Sequence, residues 1–429
     1  MKKIKILVSS LLILSIFAGV GCSSKADEVS NEPEEKTNLV WAGWSGEEEA
    51  NKEIIKEIID TYNTSTDASE ISWVGWPWAN TLQQLIIRTQ SDQDLDVAQV
   101  DMAWLTTLAK MDVLADLNEV LGEDWMKENL SDTSLNSGNI DGKQLAVPWT
   151  QASIGMVYNP TILKNAGIDK VPKTVDEFEE ALKKIKEYDK DIIPYAAATK
   201  EAGSIAKDVN AWFWTFGGQY IDDSGKVVIN SEANEKALTW YKGLKDKGYI
   251  AMDLTRFDAR QLFAQNKVAF YDDAILARGI AKSNGVEEDK LDETIKPMER
   301  PVLNAGDKPQ STLWGHQLVI FKSAKDKEKA GDFIKYLISE ETSIKYFEAS
   351  GSVPVMKSAI SSENVKNDNW SSEWLKITET GKKAETQKFE NDSQLATIIT
   401  EEIQNTLLGA KTPKKALEDA QMRLEQNIN

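Results

Sequence analysis

Strand-like and helical segments alternate from Leu39 onward, and this alternation is the feature that most constrains the fold. The segments LVWAGW, ISWVGW and LDVAQVD are short and rich in β-branched and aromatic residues, which is typical of strands. Between them lie two predicted helices, ANTLQQLIIRTQ and SGEEEANKEIIKEIIDTYN, the latter with Ser45 as its N-cap and Glu48 three positions later. The order β-α-β-α-β predicts a parallel sheet covered by helices, and therefore an α/β fold.

Tryptophan recurs where each of these three predicted strands ends, at residues 41–44, 76–78 and 101–104. Ligands of open α/β sheets bind beyond the carboxyl ends of the strands, whereas independent core packing gives no reason for aromatic residues to collect there. A structural role is the commoner one for any single tryptophan, but three converging loops favour a binding site for the group. The resulting ligand-binding candidates are Trp44, Trp78, Asp101 and Trp104.

The chain begins with a segment typical of secretion signals. Three lysines precede an apolar run over residues 6–17, and small residues follow up to Cys22. The run is shorter than the roughly 20 residues that cross a bilayer, so we predict a signal peptide over residues 1–21. The small residues before Cys22 resemble a bacterial lipobox, although Gly19 stands where a branched aliphatic residue is usual. We therefore expect Cys22 to be lipidated and to anchor the protein to the outer face of the cell membrane, which is the periplasmic side if the host has an outer membrane.

The composition limits the partners and the architecture. Cys22 is the only cysteine, which excludes an intramolecular disulfide. Residues 22–38 are polar and are predicted to form a flexible tether. The formal net charge is −19, and −22 without the three signal lysines, which argues against nucleic acid as a partner. The roughly 390 residues that follow exceed what one core usually supports, so two lobes are expected.

Several motifs further along the chain point to one family. They are a D-G-K turn, a strand ending in V-P, a Y-N pair, a K-x-A-G-I helix end and a P-x-T-x-x-E-F helix start, at residues 141–143, 147–148, 158–159, 164–168 and 172–178. With them, the chain resembles the extracellular solute-binding proteins of sugar-type ABC importers, the family of maltose-binding protein. Similar segments at 216–244, 263–273, 314–337 and 351–355 extend the likeness over nearly all of residues 39–429.

Two positions depart from the family pattern. Asn266 replaces the usual glycine before Lys267, at a turn where asparagine can also adopt positive φ. The following segment, YDDAILAR, lacks the tryptophan that many relatives carry, which leaves Asp272 and Asp273 as polar candidates for ligand binding.

The resemblance implies a two-lobed periplasmic-binding-protein-like fold of type II. Each lobe would be a mostly parallel sheet flanked by helices, with the ligand cleft between the lobes. Chain crossings are expected near residues 149–153, 297–301 and 353–356. The N-terminal lobe would then comprise residues 39–150 and 300–355, and the C-terminal lobe residues 151–299 and 356–429.

A sugar site needs flat aromatic platforms for C–H faces and planar polar groups for hydroxyls. Trp149 and Gln151 lie at the first expected crossing. Trp212 and Trp214 share a face if their segment is extended, but core positions in a strand or helix are an equal alternative. The remaining candidates are Trp314, Gly315 and His316. Gly315 would, by the resemblance, let the backbone approach the ligand, and His316 is at least as consistent with an ordinary hydrogen-bonded side chain.

The expected function is the capture of a sugar, in particular an oligosaccharide, by a monomeric lipoprotein that closes and delivers it to an ABC transporter permease. No metal, cofactor or catalytic residue is expected. A polyamine or a glycerol-phosphate in the same fold stays an alternative, and so does a secreted glycoside hydrolase. The hydrolase is disfavoured because no pattern of eight β-α units is recognisable.

Overall fold

The computed structural model describes residues 36–48, 51–91, 93–200 and 202–428. The predicted signal peptide, Cys22 and nearly all of the predicted tether lie outside these residues. Among the residues described, no helix combines the length and the apolar character that crossing a membrane requires.

Within the described part of the chain, nine strands form one mixed sheet in the order β2-β1-β3-β10-β6-β8-β7, with β11 beside β10 and β9 beside β6, while β4 and β5 form a separate hairpin. The strands are β1 Thr37–Gly43, β2 Ser69–Gly75, β3 Val97–Asp101, β4 Asn139–Ile140, β5 Lys143–Gln144, β6 Val147–Tyr158, β7 Ile193–Tyr195, β8 Val268–Asp273, β9 Lys296–Met298, β10 Ser311–Ile320 and β11 Gly381–Lys382.

Helices surround this sheet. They are α1 Lys52–Ser65, α2 Trp78–Gln90, α3 Leu105–Lys110, α4 Glu123–Asn129, α5 Asp132–Gly138, α6 Pro160–Asn165, α7 Val175–Tyr188, α8 Ala202–Thr215, α9 Glu232–Asp246, α10 Arg256–Ala264, α11 Ala277–Ser283, α12 Leu291–Thr294, α13 Lys327–Ile338, α14 Glu340–Ser350, α15 Lys357–Ile360, α16 Glu363–Lys366, α17 Asn369–Glu379, α18 Asp392–Leu407 and α19 Pro413–Glu425.

The first three strands pair as the sequence predicts. β1 is parallel to both β2 and β3, so the ends of these strands lie at one edge of the sheet. The helix after β1 differs from the prediction: Ser45 opens only a short 3₁₀ turn, Ser45–Glu47, and α1 begins at Lys52. The amide of the buried Gln99 accepts the backbone N–H groups of Trp44 and Ser45, which holds this turn against β3.

The long strand β6 joins the two halves of the sheet. Its N-terminal part pairs with β10, and its last residues pair with β8 and β9, in each case antiparallel. Since β10 also runs antiparallel to β3, the sheet is mixed at its centre. The first expected crossing, residues 149–153, lies within β6.

The core is divided between the two halves of the sheet. One apolar cluster draws on residues 39–149 and 318–359, and another on residues 156–298 and 395–424. A third cluster, which includes Trp374 and Tyr271, packs beside the middle of β6. The exact lobe boundaries stay a prediction.

The turn before β8 agrees with its sequence. Asn266 has φ 58°, so it takes the left-handed conformation that the family's glycine would adopt. Its Oδ1 accepts a hydrogen bond of 2.8 Å from Asn159 Nδ2, which ties the turn to the end of β6.

Candidate functional site

Four tryptophans and one histidine meet where β1, β3 and β10 lie side by side. Trp44 contacts Trp104 and His316 edge to face, with ring centroids 5.3 and 4.8 Å apart. Trp78 lies 5.5 Å from Trp104 at an interplanar angle of 34°, and Trp314 lies 5.2 Å from His316. We call these five residues the tryptophan cluster; all five are sequence-predicted candidates.

Asp101 joins the cluster from the end of β3. Its carboxylate accepts the backbone N–H of Ala103 at 2.9 Å and Trp78 Nε1–H at 3.3 Å. It also lies opposite His316 in the pairing of β3 with β10. Burial raises the pKa of this carboxyl, while its hydrogen bonds act in the opposite direction.

The cluster has a sealed side and an open side. Trp44 is 1% exposed and forms the base, whereas 51% of Trp78 is exposed. Trp104, Trp314 and His316 are partly buried between these extremes. Trp78 begins α2, so its ring is fixed by the helix start and by Asp101. Trp78 therefore forms the solvent-facing side of the cluster.

Gln99 is a central residue of this site that sequence reasoning missed. Its Oε1 accepts from Trp44 N at 3.2 Å and from Ser45 N at 3.1 Å. Its Nε2 lies 2.8 Å from Ser45 Oγ and 3.0 Å from His316 Nδ1. A signal was present in the sequence, because a glutamine within the apolar strand VAQVD shares a face with Asp101 and needs partners when buried.

The environment of His316 keeps its imidazole neutral. The ring lies between the indoles of Trp44 and Trp314, and burial lowers the pKa to about 4. The imidazole is therefore a neutral hydrogen-bonding group over the physiological range of pH.

Two predicted site residues lie in the apolar core instead of the cluster. Trp149 is 2% exposed, stacks on Tyr346 at 4.4 Å and contacts Trp41. Trp212 is fully buried, because its segment is the helix α8 and not an extended chain. A helix places residues two apart on different sides, so the shared face expected for Trp212 and Trp214 does not form.

Asp272 and Asp273 also differ from their expected place, because both carboxylates are already paired within the protein. Asp272 Oδ1 lies 2.5 Å from Arg300 Nη2, and Asp272 also accepts the hydroxyl of Tyr195. Asp273 accepts two hydrogen bonds from Arg260, of 2.8 and 2.6 Å. Buried carboxylates require such partners, so these side chains serve the interior.

The last three candidates, Gln151, Trp214 and Gly315, each contact other parts of the protein. Gln151 Oε1 accepts Ser134 Oγ at 2.7 Å, and its buried Nε2 has no partner. Trp214 Nε1 donates to Glu385 at 2.6 Å. A Cβ at Gly315 would lie 2.4 Å from the carbonyl oxygen of Thr150, so the close approach of β6 explains this glycine.

A cavity of about 810 Å³ lies beside α3, and none of the predicted site residues lines it. Its walls include Thr106, Lys110, Lys383 and Gln387. Burial lowers the pKa of Lys383 to about 8. Within the described ranges, no group of three or more His, Cys, Asp or Glu residues is arranged to hold a metal ion.

A family model described as bacterial extracellular solute-binding protein matches residues 57–370, and the chain therefore belongs to this family. This confirms the resemblance inferred from the sequence. Proteins of this class bind solutes for transport and are not enzymes.

Curated relatives share modest identity with the chain. The diacetylchitobiose-binding protein DasA of Streptomyces coelicolor is 28% identical over 295 residues, which cover 65% of this chain and 64% of DasA. A maltooligosaccharide ABC transporter solute-binding lipoprotein of Streptococcus pneumoniae serotype 4 is 23% identical over 439 residues, which cover 95% and 93% of the two chains. A probable ABC transporter-binding protein of Deinococcus radiodurans is 26% identical, and 58% of its length is matched. The chain thus spans less than two thirds of the DasA and Deinococcus proteins.

Solved structures confirm the type II fold. The cyclic α-maltosyl-1,6-maltose binding protein of Arthrobacter globiformis superposes with a TM-score of 0.78 at 21% identity, covering 90% of this chain and 97% of that one. The sugar-binding protein MalE of Xanthomonas citri gives a TM-score of 0.79 at 16% identity, with coverage of 91% and 97%.

Proposed function

We propose that this protein binds a sugar, and in particular an oligosaccharide, in the tryptophan cluster and delivers it to the permease of an ABC transporter. The observation that carries the proposal is the exposed indole of Trp78 beside Trp104, with the Asp101 carboxylate in the same group. An indole face packs against the C–H face of a pyranose, and a carboxylate accepts hydrogen bonds from its hydroxyls.

The relatives support the same class of ligand. The names of two of them specify diacetylchitobiose and maltooligosaccharide, which are both oligosaccharides. The polar groups beside the rings in this chain are a carboxylate and a neutral imidazole. This combination suits an uncharged polyhydroxylated ligand.

Ligand binding would be coupled to closure of the two predicted lobes. Residues assigned to different predicted lobes contact each other: Thr106 Oγ1 donates to the Gln387 carbonyl at 2.7 Å, and Lys110 Nζ lies 3.6 Å from Glu390 Oε1. A ligand that contacts both lobes stabilises the closed state by its differential affinity, and the closed shape is what a permease would recognise.

A binding screen tests the proposal. The domain starting at residue 36 would be titrated with maltotriose, diacetylchitobiose, raffinose and arabinotriose, with calorimetry and tryptophan fluorescence as readouts and chromatography for products. Saturable binding near a micromolar, about −8 kcal/mol, without product supports the proposal. Product formation would indicate a glycoside hydrolase, and tighter binding of spermidine or glycerol 3-phosphate would replace the sugar by another solute.

We further propose that the protein is a lipoprotein on the outer face of the cell membrane, anchored through Cys22. The support is the lipobox-like segment before this cysteine. Cys22→Ala should release the protein from the membrane fraction into the medium or periplasm. Firm attachment of the variant would reject lipidation at this position.

A further inference from the structure

We propose that Gln99 is a positioning residue that holds His316 in the Nε2–H tautomer, so that the site presents a neutral donor and selects ligand groups that accept a hydrogen bond. The selection of ligand rests on the proposed function. The positioning of His316 by Gln99 does not.

The orientation of the Gln99 amide follows from its two backbone partners. Trp44 N and Ser45 N can only donate, and both point to the same atom of Gln99 at 3.2 and 3.1 Å. That atom must therefore be the carbonyl oxygen. The other atom of the amide is then the NH₂ group, which can only donate.

The tautomer of His316 follows in turn. The Gln99 NH₂ group lies 3.0 Å from Nδ1, and because it can only donate, Nδ1 must be the unprotonated acceptor. In a neutral imidazole the proton is then on Nε2. An imidazolium would place a second donor on Nδ1 against the NH₂ group, which disfavours the charged form.

The packing around both side chains leaves little freedom for another arrangement. A Cβ at Gly43 would lie 2.8 Å from Gln99 Oε1, so Gly43 is needed for Gln99 to lie against β1. Trp44 and Trp314 cover His316 edge to face, with centroid distances of 4.8 and 5.2 Å. Gln99 itself is fully buried, and it cannot exchange these bonds for water.

The remaining nitrogen is the one available to a ligand. Among the described residues, His316 Nε2 has no hydrogen-bond partner. It is also not one of their fully buried, unpaired nitrogen and oxygen atoms, so it is accessible from outside the protein. As an N–H donor it fits the hydroxyl or ring oxygen of a sugar. It cannot form a hydrogen bond with an ammonium group, because both groups can only donate. The Nε2–H tautomer therefore disfavours the binding of polyamines.

The positioning role can be measured directly because His316 is the only histidine of the chain. In the ¹⁵N-labelled full-length protein at pH 7, we expect one imidazole with a protonated Nε2. We also expect a scalar coupling across the hydrogen bond between the Gln99 amide nitrogen and Nδ1. A protonated Nδ1, or the absence of this coupling, would overturn the proposal. This measurement needs only the unmodified protein, with no variant and no ligand.

A variant sharpens the same test. Gln99→Glu at pH 8.5 replaces the donating NH₂ by a carboxylate oxygen, and we expect Nδ1 of His316 to become protonated. The matched control is Gln144→Glu, since Gln144 is a buried glutamine that donates to Leu135 and Ala146 carbonyls away from the cluster. The control should leave the imidazole signals unchanged. An unchanged signal in Gln99→Glu would contradict the positioning role.

Ligand binding provides the second readout. Gln99→Glu should weaken the binding of maltotriose or diacetylchitobiose about tenfold, while Gln144→Glu changes it less than about twofold. Unchanged affinity in Gln99→Glu would reject the selective role of His316. If neither sugar binds the unmodified protein, the proposed function fails, whereas the nuclear magnetic resonance result still decides the role of Gln99.

Discussion

The tryptophan cluster and the group around Arg300 contain similar side chains but differ in their exposure to solvent and in the partners of their carboxylates. Both combine indoles with carboxylates: Trp78 with Asp101 in the first, and Trp212 with Asp272 in the second. The Arg300 guanidinium lies 4.7 Å from the Trp212 ring centre and pairs with Asp272, and all three residues are buried. In the cluster, the indole that holds Asp101 is half exposed. Residue type therefore does not separate the proposed binding site from an interior ion pair. What differs is that Asp272 has a buried arginine at ion-pair distance, while the printed hydrogen bonds of Asp101 come from an indole and a backbone N–H.

The largest effect is expected from breaking the buried pair. Arg300→Ala should lower the free energy of unfolding by about 3–5 kcal/mol, because it leaves the Asp272 carboxylate buried without its cation. Urea denaturation measures this loss. Arg278→Ala is the control, since Arg278 pairs with Asp292 at the surface and its loss should matter little. If both substitutions lowered the free energy of unfolding equally, the buried pair of Arg300 and Asp272 would not stabilise the fold more than a surface pair does.

The next effect concerns pH. The pKa of His316 is lowered from 6.5 to about 4, so between these values the unfolded chain binds a proton that the folded protein does not. Stability should therefore fall as the pH falls through this window, by about 2–3 kcal/mol from pH 7 to 4.5. His316→Gln should remove this part of the loss. Urea unfolding of both proteins at the two pH values isolates it, because other groups cancel in the difference. Identical pH dependence would mean that His316 titrates normally.

The smallest change in free energy is expected for the substitution of Trp78, but this change is the most informative one for function. Trp78→Ala should weaken sugar binding tenfold or more, about 1.4 kcal/mol, by removing the exposed indole face. The free energy of unfolding should change by no more than about 1 kcal/mol, since half of the side chain is in solvent and its hydrogen bond to Asp101 is long, at 3.3 Å.

Two further tryptophan variants serve as controls for Trp78→Ala. Trp125→Ala removes a partly buried indole that packs on the core and under Lys335, away from the cluster, and should leave binding intact. Trp212→Ala should cost about 3–5 kcal/mol of stability as a core truncation. If Trp78→Ala instead destabilised the fold as Trp212→Ala does, the distinction between the two regions would be lost.

Most of the cluster could be predicted from local pattern. Trp44, Trp78, Asp101 and Trp104 follow strands whose parallel pairing brings their ends together, and this pairing is encoded by the alternation of elements. The family motifs likewise lie in single segments, so they can be recognised without coordinates.

The amino-acid sequence by itself determined the α/β class, the family and the strand ends at which tryptophan collects, because periodicity and motif spacing act over a few neighbouring residues. Only the tertiary structure decided which polar groups are satisfied internally. Gln99 and His316 are 217 positions apart, and Asp272 and Arg300 are 28 apart. Such partners depend on strand order and helix packing, and local pattern carries no record of them. For the same reason, the core position of Trp149 became visible only when the elements packed together, and only the packing decided between the two alternatives that the sequence left open for Trp212.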